Sequence, residues 1–161
     1  MEINVYTVHK LYKPIIDKYN FTLAQLDNNE IFLIGNGFGL YVFIDPRDGS
    51  NTWYVSLDAD GNIVVRTLDY IFADRLTKDD RNQYLTVHGQ PQSIFEEVVA
   101  DLSISKIGLL NHCHDILSGG KEWLNNYPDK GDYSRHVARF LKPYFEKQGY
   151  YVAPVPESYN P

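Results

Sequence analysis

The chain has 161 residues, 43% of them hydrophobic and 22% charged, which is enough to bury one core without help from disulfides or metal. Fifteen basic against twenty-one acidic residues leave a net charge of −6, which argues against a nucleic-acid partner and favours a basic protein as partner. The single cysteine, Cys113, excludes an internal disulfide, and no apolar run approaches the roughly 18 residues a bilayer requires, so a cytoplasmic location away from membranes is expected.

Val5, Val8, Leu11, Tyr12, Ile15, Ile16 and Tyr19 recur at spacings of three and four, the pattern of one helix face. Pro14 interrupts this helix, so a kink is expected there, or two short helices with Pro14 opening the second. From Phe21 the period changes to two in "FTLAQL", "EIFLI", "GLYVFI", "TWYVSL" and "NIVVRT". Their separators, "DNN", "GNGF", "DPRDGSN" and "DADG", are too short for crossover helices. An antiparallel meander of about five strands over residues 21–67 is therefore expected.

The pattern then turns helical. "LDYIFADRL" places Leu68, Ile71, Phe72 and Leu76 on one side, and "TKDDRNQY" extends this helix or starts another turn. Ser93 with Glu96 makes a capping box that opens a long helix, with a break expected near residues 103–106, where the apolar phase drifts. Gly119 and Gly120 close it. A last helix fits "YSRHVARFLKPYFEKQG", capped by Asp132 or Ser134, with Pro143 inside it and Gly149 at its end. The fold class is thus α+β: an N-terminal helix, the meander, then three or so helices on one face of the sheet. Residues 1–149 form a single domain, and 150–161, rich in Pro and Tyr, form an extended tail.

Four stretches carry possible chemistry. Asp58, Asp60 and Asn62 have the alternate spacing of a calcium loop, but loop positions six and twelve would hold Ile63 and Asp69 instead of glycine and glutamate. Asp60-Gly61 between two alternating runs is better read as a hairpin turn, and Pro46 and Gly49 shape the turn before it. "GNGFGLYV" has the glycines of a kinase loop but neither its spacing nor its companion motifs, so a tight strand connection explains it.

"NHCHD", residues 111–115, gathers His112, Cys113, His114 and Asp115. On a helix His112 and His114 point about 200° apart and cannot grip one metal. Cys113 falls in phase with Leu110, Ile116 and Leu117, as a core residue does; a catalytic cysteine would need a distant base such as His88 or His136. The acids Asp58, Asp60, Asp79, Asp80, Glu96, Glu97 and Asp101 read as solvated surface or as an acidic docking surface. No catalytic residue, cofactor or metal is expected.

The layout, together with "WYVSLDADGNI", "DYIFADRL" and "HDILSGGKEWL", resembles the small bacterial immunity proteins that neutralise toxins of contact-dependent and type VI secretion systems. The shared feature is a strand before a helix that ends near an Asp-Ile-Leu with a following Trp, here Asp115, Ile116, Leu117 and Trp123. The resemblance implies a non-enzymatic protein that binds one cognate toxin, basic by charge complementarity. Thirteen tyrosines suit such an interface. The expected contact set is Asp45, Asp48, Asp58 and Asp60 in the turns, with Tyr41 and Tyr54 beside them. The alternative is a small α+β enzyme or ligand-binding protein with a pocket between sheet and helices, lined for example by His88, His136 and Arg139.

Overall fold

The computed structural model describes residues 5–45, 47–127 and 131–157. Pro46, the Val5 side chain and the last four residues of the tail, for which roles were expected above, lie outside the described residues. The elements run α1 (Val5–Tyr19), β1 (Thr22–Asp27), β2 (Glu30–Ile34), β3 (Phe38–Asp45), β4 (Gly49–Leu57) and β5 (Ile63–Thr67). They continue with α2 (Asp69–Arg75), α3 (Lys78–His88), α4 (Ile94–His112), α5 (His114–Leu117), a 3-10 turn (Glu122–Asn126), β6 (Asp132–Tyr133) and α6 (Arg135–Lys147).

The meander is antiparallel throughout, in the order β1-β2-β3-β4-β5-β6. The expected five strands are present, and a short sixth is added at the edge, where Val64 and Val65 pair with Tyr133 and Asp132. Two residues are too few to show a period. The turns are those the sequence signals. Gly61 adopts φ +84°, and the Asp58 carboxylate accepts the Asp60 and Asn62 backbone amides at 2.9 and 2.8 Å. Gly39 passes so close to β2 that a Cβ there would lie 2.7 Å from the Leu33 carbonyl oxygen.

Two cores sandwich the sheet, a correction to the single helical layer expected. On one face Ile31, Leu33, Leu40, Val42, Ile44 and Tyr54 pack with α1, α2, α4, α5 and Trp123. On the other, Phe32, Ile34, Val55, Ile63 and Val65 pack with Val137, Ala138, Leu141 and Phe145 of α6. The apolar stripe of α6 reads the same whichever face receives it, so the sequence alone could not assign it.

Two helix interruptions expected above are absent. Helix α1 runs unbroken through Pro14, whose ring lies on the exposed side, where water can satisfy the carbonyl it leaves without a donor. Of the two readings of "TKDDRNQY", the structure has the new start: residues 69–88 form two helices, because Thr77 and Asp80 build a second capping box. Helix α4 continues through residues 103–106. Its apolar phase drifts there because the helix is enclosed on several sides: Ser103, Ser105 and Gly108 are buried, and a Cβ on Gly108 would lie 2.5 Å from the Leu76 side chain. The tail is extended but not free. Val152 is buried in the second core, and Ala153 N–H donates to the Gly61 carbonyl at 2.8 Å.

Candidate functional site

The reactive-looking "NHCHD" stretch is a structural knot. His112 Nε2 meets Asp80 Oδ2 at 2.8 Å, and Asn111 donates to Asp80 Oδ1 at 2.8 Å. Asp115 receives a two-pronged bond from Arg75 at 2.7 and 3.0 Å, and Arg75 also donates to the His112 carbonyl at 3.1 Å. The His114 ring bonds Tyr19 Oη at 2.8 Å. Cys113 is fully buried, and burial pushes its thiol up, against the reactive thiolate form. Of the two bases considered for it, His88 stacks on Tyr84 within α3, and His136 lies across the sheet on α6. The residues that looked catalytic thus join the ends of α2 to α5.

The six expected contact residues do not form one surface. Asp45 and Asp48 lie at the β3–β4 turn, Asp58 and Asp60 at the β4–β5 turn. Successive turns of a meander fall at opposite ends, and the nine residues of β4 separate these two by roughly 26 Å. Burial pushes the Asp58 carboxyl up, but bonds from Asn62, Asp60 and Gly61 outweigh it and hold the group below the usual carboxylate range. That carboxylate is occupied in shaping its own turn.

The tyrosines divide too. Tyr41 pairs with Trp53 and shares its face, whereas Tyr54 pairs with Leu40 on the opposite one. Tyr54 is fully buried, edge-on to Trp123 at 4.8 Å, and presents nothing to a partner. Burial pushes its hydroxyl up to about 12, and that hydroxyl has no hydrogen-bond partner among the described residues. Tyr54→Phe is therefore expected to stabilise the fold by about 1 kcal/mol, by removing an unsatisfied polar group. Urea melts of the two proteins measure this, and a loss of similar size would contradict it.

The surface that does combine charge, aromatic area and concavity lies on the α6 side. A groove of about 400 Å³ is lined by Glu30, Tyr41, Phe43, Asn51, Trp53 and Val65 of the sheet, and by Asp132, Tyr133, Ser134, His136 and Val137. It forms because α6 covers only part of its face, leaving Tyr41, Phe43 and Trp53 half-buried. Glu30 stands in phase with Phe32 and Ile34, an inward position, and is 8% exposed. Its carboxylate accepts from Tyr41 Oη and contacts His136 Nε2 at 3.1 and 3.0 Å. Burial, and then Glu30, push the Tyr41 hydroxyl well above its ordinary value. Asp27 completes the group; hydrogen bonding that its carboxylate accepts from the Glu30 side chain, with help from the Asn29 and Glu30 amides, holds its carboxyl below the usual range.

Asp45 and Asp48 are at this end of the sheet, since Phe43, which lines the groove, pairs with Asn51 two rungs from the turn. Of the alternative pocket residues, His136 and Arg139 share a shallow hollow with Leu26, Phe140, Pro143 and Tyr144, while His88 is remote on α3. The signal that could have exposed the site was one glutamate in an inward strand phase. The partner it implied lies 106 residues away, beyond the reach of local pattern.

Among known proteins, no family model, no curated protein and no solved structure matches this chain. Among the described residues no helix is long and apolar enough to cross a membrane.

Proposed function

We propose that this chain is a non-enzymatic immunity protein that binds and neutralises a cognate protein toxin of basic character. The observation that carries the reading is the groove on the α6 side: half-buried Tyr41, Phe43 and Trp53 beside Glu30 and Asp132. Aromatic faces and carboxylates together favour a lysine or arginine side chain, through cation–π attraction and charge pairing in a partly desolvated setting. The net charge of −6 adds long-range attraction for a basic protein. Asp45 and Asp48 would serve at the rim, Tyr41 within the groove. Tyr54 and Asp58 leave the contact set, and Asp60 lies at the far end.

The test is co-expression with a toxin domain encoded beside this gene, scored by growth, together with calorimetric titration of the purified pair. Protection and saturable binding are expected. Trp53→Ala should weaken binding by at least about 1.4 kcal/mol, a tenfold loss, as for a central aromatic anchor. Binding without any loss in Trp53→Ala would displace the interface from the groove, and absence of both protection and binding would end the reading.

A further inference from the structure

We propose that Asp27, Glu30 and His136 form a binding site for a divalent transition-metal ion of the zinc class at one end of the groove. One potential ligand atom from each residue lies within 4.8 Å of the other two. The three come from different elements: the end of β1, the start of β2 and the first turn of α6. The β1–β2 turn sets the two carboxylates side by side, and Ser134, capping α6 through the Val137 amide, sets where the helix begins and so where His136 stands.

The donor chemistry selects the ion. A divalent cation would displace the proton that the hydrogen-bonded Asp27 and Glu30 carboxyls share, and the two carboxylate charges then match its own. An imidazole nitrogen among them favours zinc and its neighbours over magnesium or calcium, which prefer all-oxygen shells. Distances agree. The Nε2 of His136 stands 3.0 and 3.1 Å from the Glu30 oxygens. Bonds of about 2.0–2.1 Å in a tetrahedral zinc site place neighbouring ligand atoms roughly 3.3 Å apart, so Glu30 and His136 need shifts of only a few tenths of an ångström, while the exposed Asp27, within 4.8 Å of both, would close the site around the ion.

The surroundings fit as well. Glu30 accepts a bond from the Tyr41 hydroxyl, the kind of outer bond that orients a ligating carboxylate. Glu30 and His136 both line the groove, so three protein ligands leave a fourth position facing it, for water or an incoming donor. The ion would brace α6 against the β1–β2 hairpin. This site does not depend on the immunity reading, and its test contains no partner protein.

The experiment titrates chelator-stripped protein with zinc chloride by calorimetry, and in parallel with cobalt(II), whose visible absorption reports a tetrahedral site. One saturable equivalent is expected. His136→Ala and Asp27→Asn should each weaken zinc binding about tenfold or more and abolish the cobalt bands. Both positions are exposed, so the fold is retained, and circular dichroism checks this. His88→Ala, remote on α3, should bind as the parent does. Absence of saturable binding by the parent, or unchanged binding in both site variants, would overturn the proposal.

Discussion

Replacing Phe32 with alanine is expected to destabilise the protein by about 4 kcal/mol, the range for removing a fully enclosed aromatic ring. Phe32 lies in the middle of β2, is completely buried, and stacks between Tyr41 at 4.7 Å and Phe140 of α6 at 5.1 Å. The lost ring removes apolar burial and leaves a cavity between the sheet and α6. Collapse of the site is limited, because backbone bonds to β1 and β3 fix β2 on both sides. A chemical-denaturation midpoint measures the loss. The same ring supports the groove, since Tyr41 leans on it. A cost below about 1 kcal/mol would mean that α6 is not seated on Phe32 as the structure places it.

That prediction separates what the sequence discloses from what it does not. The meander is legible because each separator carries its own chemistry: Asp60-Gly61 can only turn, and the turn is too short to cross over. The Ser93 cap is legible for the same reason, as its hydroxyl accepts the Glu96 amide at 3.1 Å, three residues away. The reciprocal bond comes from one residue earlier than the motif implies: the Gln92 N–H donates to the Glu96 carboxylate. Properties that depend on which face is which are not local. Tyr54, between Thr52 and Ser56 in phase, looks like the wet side of β4, yet that phase faces the larger helical layer and all three are buried.

Register decides the candidate site in the same way. Tyr41 meets Trp53 and not Tyr54 because β3 and β4 pair with Phe43 opposite Asn51, a choice set by the β3–β4 turn. The reactive stretch misleads for a complementary reason. Its residue types are those of catalysis, but each polar member finds its partner on another helix or helix end, at Asp80, Arg75 and Tyr19. Only the tertiary arrangement distinguishes an assembled set of bases and nucleophiles from a set of tethers.

Asp80→Ala is expected to cost about 3 kcal/mol at neutral pH, a prediction that tests this tether directly. Asp80 is 2% exposed and serves two structures at once. As the third residue of α3 it accepts the Thr77 amide at 2.7 Å, closing the capping box at the end of the helix where negative charge is favoured. It also holds Asn111 and His112 at the far end of α4. Alanine leaves these donors without their acceptor, whereas Asp80→Asn keeps the shape and one acceptor and should cost roughly half as much. Burial pushes the Asp80 carboxyl up, but the bonds from Asn111, Thr77 and His112 outweigh it, so its folded-state value lies below the ordinary one. A lowered carboxylate stabilises the fold fully above the unfolded value of about 3.9, and that stability is lost as pH falls through the folded value. Urea melts of parent and Asp80→Ala should therefore differ most at pH 6–7 and converge as pH drops below about 4. A gap that stays constant as far down as the fold survives would assign the loss to packing rather than to the charged acceptor, because neutral packing does not respond to the proton.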